Sequence, residues 1–311
     1  KPNGTISCPD PLILFDEACR IPCDIQLHPR QKYLDLYRAG FWIDGAGLVC
    51  LALTMLSWVI APGTVPIKKK ILFPCMSSFV LTCTFLIPLI HGAEETFCQD
   101  EVTFRGQENG GLCFVQALLV SFFGLSTAIW WFCHIVHLFL RFVVYGLTSQ
   151  RDYSKHWFYY AIAAYGIPMF TTSALVIGGT LGYAPPIFYC IFKSKRESPH
   201  FDLQWPFFYA PLVVMVIVGV PMVFCVLVQL WSTIRKDLKM PPIYVMKLSQ
   251  VPVLFVVLFS FVITSIIAFR FSFEVNQDSY YRIATQWYDC LILNARNNIT
   301  DPATSCEANT T

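Results

Sequence analysis

Residues 113–131 read CFVQALLVSFFGLSTAIWW. The stretch opens on a cysteine just after a polar, acidic segment and then stays apolar for the depth of a bilayer. Its interior carries Gly124, Ser126 and Ala128, small residues that let a neighbouring helix come close. Apolar periodicity alone describes an ordinary buried or membrane helix with one free thiol. The spacing is more particular: Cys113, eight residues, Phe122-Phe123, five residues, then Ile129-Trp130-Trp131.

The composition around it is that of an integral membrane protein. Of 311 residues 55% are hydrophobic and 14% charged, against roughly 25% charged in a soluble domain. A net charge of +2 without a long Lys/Arg run excludes a nucleic-acid stripe. There is no glycine-rich phosphate loop, and no cofactor is implied. No Ser/His/Asp or Cys/His arrangement survives the topology, so no enzyme activity is expected.

Six apolar segments run over 41–61, 71–92, 112–140, 157–181, 205–231 and 251–271, each near the roughly 20 residues a spanning helix needs. Pro88, Pro168, Pro211, Pro221 and Pro252 fall in or near them, and packed membrane helices tolerate this because neighbours re-satisfy the freed carbonyls. The first, third and fifth connections hold ten basic residues: Lys68, Lys69, Lys70, Arg141, Arg151, Lys155, Arg235, Lys236, Lys239 and Lys247. The second and fourth hold four: Arg105, Lys193, Lys195 and Arg196. Positive charge marks the cytoplasmic side, so the N-terminus is expected outside. Glycosylation sequons at Asn3, Asn298 and Asn309 agree, because an even number of spans puts both ends on one side.

Five of thirteen cysteines, Cys50, Cys75, Cys83, Cys133 and Cys225, fall inside spans, where cysteine acts as a small hydrophobe. The other eight, Cys8, Cys19, Cys23, Cys98, Cys113, Cys190, Cys290 and Cys306, all fall on the expected outer side. An even number there argues for four disulfides, and spacing leaves 105 pairings open. A metal site at Cys19-x3-Cys23 is the rival, but no second Cys/His pair with zinc spacing follows.

The 113–131 pattern resembles the third membrane span of Frizzled and Smoothened receptors. Other motifs keep the same order. Cys8-Pro9 and Cys19-x2-Pro22-Cys23 resemble the linker before that family's first helix, and Trp42-Ile43-x6-Cys50 resembles its opening. Gly166-Ile167-Pro168 resembles the proline step of the fourth helix. Ala210-Pro211-Leu212, Gly219 and Ile234-Arg235 resemble the fifth helix and its cytoplasmic exit. The likeness runs over about residues 8–306.

The resemblance implies an all-α membrane bundle of the seven-transmembrane receptor type, of which six spans are visible. It implies disulfides Cys113–Cys190, Cys290–Cys306, Cys8–Cys19 and Cys23–Cys98. The expected organisation is an extracellular cysteine-containing cap over 1–38, the bundle over 39–272 and an extracellular segment over 273–311. After Phe271 no apolar run near 20 residues follows, and three cysteines in 38 residues cannot make the family's cysteine-rich domain. The chain therefore reads as a piece cut at both ends, with a true six-span protein as the alternative.

Lys247, at the foot of the sixth span, matches a basic residue that in this family contacts the seventh helix at rest. The other reading is a lysine held by lipid phosphate. His134 and His137 share a face of the third span and read as neutral imidazoles bonded to neighbouring helices. A ligand contact, proton sensor or half metal site is the alternative. Asp44, one turn inside the first span, is expected to reach the interface or to pair with a basic residue of an outer loop. Trp130 and Trp131, midway along their span, read as packing anchors. The acidic second connection (Glu94, Glu95, Asp100, Glu101, Glu108) has no calcium-loop spacing.

The resemblance implies a cell-surface receptor that shifts between helix arrangements when an outside ligand binds. Arg235, Lys236 and Lys239 would form part of a cytoplasmic surface for a G protein or a Dishevelled-type adaptor. The ligand would be a protein or, by analogy with Smoothened, a sterol or lipid. The rivals are a six-span transporter or channel, against which no internal repeat or midplane charge pair is present, and a non-signalling membrane interaction protein with the same fold.

Overall fold

The computed structural model describes residues 13–15, 18–20, 23, 31–60, 65–91, 93–99, 111–144, 156–183, 189–193 and 200–236, with scattered positions from 261 to 293. A short antiparallel hairpin of β1 (Ile13–Phe15) and β2 (Ala18–Arg20) sets Leu14 opposite Cys19. The longer elements are helices: α1 (Gln31–Ile60), α2 (Val65–Phe85), α3 (Ile87–His91), α4 (Ala93–Phe97), α5 (Gly111–Phe139), α6 (His156–Ile177) and α7 (Ala210–Lys236). A π-helical turn, Leu140–Val144, extends α5, and another, Trp205–Tyr209, leads into α7.

The chain is an all-α membrane bundle with α5 at its centre. α5 packs against α2, α6 and α7, and α1 lies along α2. Polarity is inverted relative to a soluble domain. Leu53, Phe158, Phe170, Ile217 and Phe224 are exposed, whereas Ser77, Gln116, Ser121, Ser126 and Thr171 are buried. Lipid tails accept the apolar exterior, and small or polar side chains inside let backbones close and bond between helices.

Among the described residues three helical stretches are long and apolar enough to cross a bilayer: Gly111–Val144, Trp157–Ile177 and Trp205–Gln229. Trp42–Ser57 and Leu72–Phe85 are shorter apolar helices. The second span is therefore not a single rod. Pro88 has no N–H for the carbonyl of Thr84, and the helix breaks at Leu86, whose N–H turns to the Cys83 carbonyl at 3.2 Å. The fourth span stops before residue 181 because Gly179 adopts φ +64°. The Gly179 N–H then bonds the Val176 carbonyl at 3.0 Å and the Thr180 N–H bonds the Leu175 carbonyl at 3.2 Å, a left-handed glycine cap. In the sixth span, helical backbone is described at Phe261, Thr264, Ser265, Ile267, Ala268 and Phe271. The rest of that span lies outside the described residues.

Ser126 of α5 meets Ser77 of α2, and a further close approach, to α7, is made at Gly219. A Cβ there would lie 3.2 Å from Ile135 Cδ1 and 3.4 Å from Trp131 Cη2, so a side chain at 219 would crowd the seam between α5 and α7. Gly219→Val is expected to destabilise the bundle by about 1–3 kcal/mol through overpacking. Thermal unfolding in detergent measures this, and an unchanged midpoint would show that α7 has room to move away.

Candidate functional site

The end of the bundle that holds the first turn of α5 is covered by residues 180–183 and 189–193 of the connection between α6 and the fifth span, here called outer loop 2 after its expected side. The Ile191 N–H bonds the Gly182 carbonyl at 2.9 Å and the Lys193 N–H bonds the Thr180 carbonyl at 2.8 Å. These two bonds set residues 180–182 beside residues 191–193 as a narrow antiparallel pair. Such a pairing satisfies its own backbone groups, which is what allows a loop to be buried. Leu181, Tyr183, Cys190, Ile191 and Phe192 are all buried.

Aromatic side chains seat the loop. Tyr183 stacks on Phe97 of α4 at 4.6 Å between ring centroids. Tyr189 meets Phe85 of α2 edge-on at 5.0 Å. Phe192 meets Phe208 at 5.2 Å and Tyr209 at 5.9 Å. Phe208 and Tyr209 are adjacent in sequence and both buried; the wider π turn at Trp205–Tyr209 is the local geometry that brings both inward.

Two disulfides fix this end. Cys113, in the first turn of α5, is joined to Cys190 with Cα atoms 5.3 Å apart. Cys23 is joined to Cys98, just after α4, with Cα atoms 6.1 Å apart. Gln116, one turn beyond Cys113, is fully buried. Its Nε2 donates to the Thr84 carbonyl at 2.8 Å, and its Oε1 accepts the Cys190 N–H at 2.9 Å.

A second cluster lies in the half of the bundle nearer the odd-numbered connections, where α2, α5 and α6 meet. The Ser77 hydroxyl lies 3.4 Å from that of Ser126 and 3.2 Å from that of Tyr165. Trp130 stands 5.5 Å from Trp157 and 5.9 Å from Tyr165, and Phe73 packs edge-on to Trp157 at 5.1 Å. The indole N–H groups of Trp130 and Trp157 are buried without a hydrogen-bond acceptor among the described residues.

The other candidate residues are placed as follows. Trp130 and Trp131 are each 2% exposed, one facing α6 and the other Gly219 of α7. His137 meets the Tyr160 ring edge-on at 6.5 Å. Asp44 is half-buried on α1. Arg141 is exposed, its guanidinium 5.9 Å from the centre of the Phe142 ring. Arg235 and Lys236 belong to the last turn of α7. Cys19 lies in β2, and Cys290 is disulfide-bonded. Cys8, Cys306, Lys239, Lys247, Asn3, Asn298 and Asn309 lie outside the described residues.

Sequence reasoning missed Gln116, the Ser77–Ser126–Tyr165 cluster and the burial of Phe192. One signal was available for Gln116: an amide three residues after Cys113 lies on the same helix face as the disulfide.

Comparison with known proteins matches the geometry. The model of the Frizzled/Smoothened family membrane region matches residues 34–310. The chain is similar to Frizzled-2 of Caenorhabditis elegans, at 26% identity over 208 residues, covering 64% of this chain and 34% of that protein. It is similar to Frizzled-4 of Homo sapiens, at 25% over 279 residues, covering 85% and 50% respectively. Frizzled-9 of Homo sapiens is 28% identical over 132 residues, covering 40% of this chain and 22% of that protein. The chain thus spans half or less of the length of these relatives. With α5 central, an outer loop tied to its first turn, and a family match running through nearly every described helix, this chain belongs to the Frizzled/Smoothened family.

Proposed function

We propose that the chain is the helical core of a plasma-membrane receptor, multi-pass with its N-terminus outside, that passes an extracellular signal to cytoplasmic partners by helix rearrangement. On this reading residues 1–38 form an extracellular cap, 39–272 the bundle and 273–311 an extracellular segment after the sixth span. Asn3, Asn298 and Asn309 are then available for glycosylation, and Cys8–Cys19 and Cys290–Cys306 brace the outer segments.

The observation that carries this reading is outer loop 2. A loop buried across one end of the bundle and bonded to its central helix is placed to convert an outside contact into a change in helix packing. A centre filled by Trp130 and Trp131 favours rearrangement over conduction. The ligand, a protein or a sterol or lipid, shifts the population between two arrangements. Arg235, Lys236 and Lys239 then present a basic surface to a G protein or a Dishevelled-type adaptor, with Lys247 as the switch residue at the foot of the sixth span.

Reversing charge at Arg235, Lys236 and Lys239 to glutamate, in the protein at its natural length, is expected to abolish second-messenger or adaptor-recruitment output while surface expression is kept. Full output from a surface-expressed triple variant would remove this surface from the mechanism.

A further inference from the structure

Three features of the outer end converge on one side chain. Pro88 leaves the Thr84 carbonyl without the donor that an unbroken helix supplies, and a bare carbonyl at this depth is costly. Gln116 Nε2 fills the vacancy at 2.8 Å. The other end of the same amide accepts the Cys190 N–H at 2.9 Å. The amide orientation is fixed by its partners, since a backbone carbonyl requires the NH2 end and a backbone N–H requires the oxygen. Cys190 is thus held twice on one face of α5: covalently through Cys113 and by hydrogen bond through Gln116. Because the amide is planar and rigid, its two ends move together. A displacement of Cys190 that turns the amide uncovers the Thr84 carbonyl.

We propose that Gln116 is a positioning residue that couples outer loop 2 to the proline bend of the second span, so that pressure on the loop alters the bend. The receptor reading enters only in naming what presses on the loop. The coupling itself rests on Gln116, Pro88, Thr84 and Cys190.

The test is hydrogen exchange by mass spectrometry on the intact chain in lipid nanodiscs, for Gln116→Leu, Pro88→Ala and the double variant. Gln116→Leu is expected to speed exchange about tenfold, the scale of one lost hydrogen bond, both at residues 189–193 and across the bend at 86–91. Pro88→Ala returns an N–H to the Thr84 carbonyl. In that background Gln116→Leu should still loosen 189–193 but leave 86–91 unchanged. Exchange that rises only in the loop in both backgrounds, or an unrescued bend in the double variant, overturns the proposal. If Gln116→Leu alone does not accumulate as folded protein, recovery in the double variant supports the coupling, and failure to recover while Pro88→Ala folds defeats it. None of these readings uses signalling, so a failed receptor assignment and a failed coupling give different results.

Discussion

Serine in place of Cys190 is expected to lower the unfolding midpoint of the bundle by on the order of 10 °C, from a loss of about 2–5 kcal/mol. The bond closes a loop of sequence separation 77, long enough for its entropic effect to be large. In a membrane the unfolded reference keeps inserted helices, so the loss falls below that of a free chain of the same length. Loop seating weakens with it: once the sulfur bond is gone, residue 190 is held to α5 only through its N–H on Gln116 Oε1, helped by the ring contacts of Tyr183, Tyr189 and Phe192. Unfolding followed with a thiol-reactive fluorophore measures the effect, using the cysteines of the spans such as Cys75 and Cys133 as reporters. Cys113→Ser should shift the midpoint equally, and the double variant should add almost nothing, because both changes remove one bond. Midpoint losses that sum would mean the two sulfurs act separately.

Trp130→Ala is expected to cost about 3–5 kcal/mol, as for other buried tryptophans replaced by alanine. The indole fills the junction of α2, α5 and α6 beside Trp157 and Tyr165, and small neighbours such as Ser126 cannot collapse into the space. Trp130→Phe is expected to stay within about 1 kcal/mol of the parent. It keeps a ring in place and removes a buried donor that has no acceptor among the described residues, whose burial carries a penalty of about 1–3 kcal/mol. The pair separates packing from hydrogen bonding. Equal damage from phenylalanine and alanine would mean that the indole nitrogen is bonded, and the unpaired-donor account would then be withdrawn.

The third, fourth and fifth spans were legible because a bilayer imposes a length and a composition that few other environments impose, and residues 113–131 satisfy both. Charge separated Cys23, Cys98, Cys113 and Cys190 from the end that carries Lys68–Lys70 and Arg235–Lys236, and the two disulfides do gather these four cysteines at one end of the bundle. Gln116 was not legible as a clamp because both of its partners are backbone atoms, 32 and 74 residues away, and a backbone carbonyl has no sequence signature. Pro88 was read as a proline that one continuous span tolerates, whereas the helix breaks beside it, and which side chain reaches the carbonyl it frees depends on how α5 lies against α2. Trp130 and Trp131 read as packing anchors. Their two different neighbours could not be read, because adjacent residues diverge by about 100° on a helix and only the bundle decides what stands on each side.

The π turn at Trp205–Tyr209 has a bearing on how this chain is aligned with its relatives. A π turn holds one more residue than the α turn it replaces. Deleting one residue within 205–209 would let the turn relax to α geometry while Met215, Gly219 and Val226 kept their inward phase. The same deletion within Ala210–Lys236 would rotate everything below it by about 100° and carry Gly219 off Trp131. A one-residue gap in a pairwise comparison is therefore structurally sound inside the WPFFY segment and unsound a few positions later, whatever the local identity score prefers.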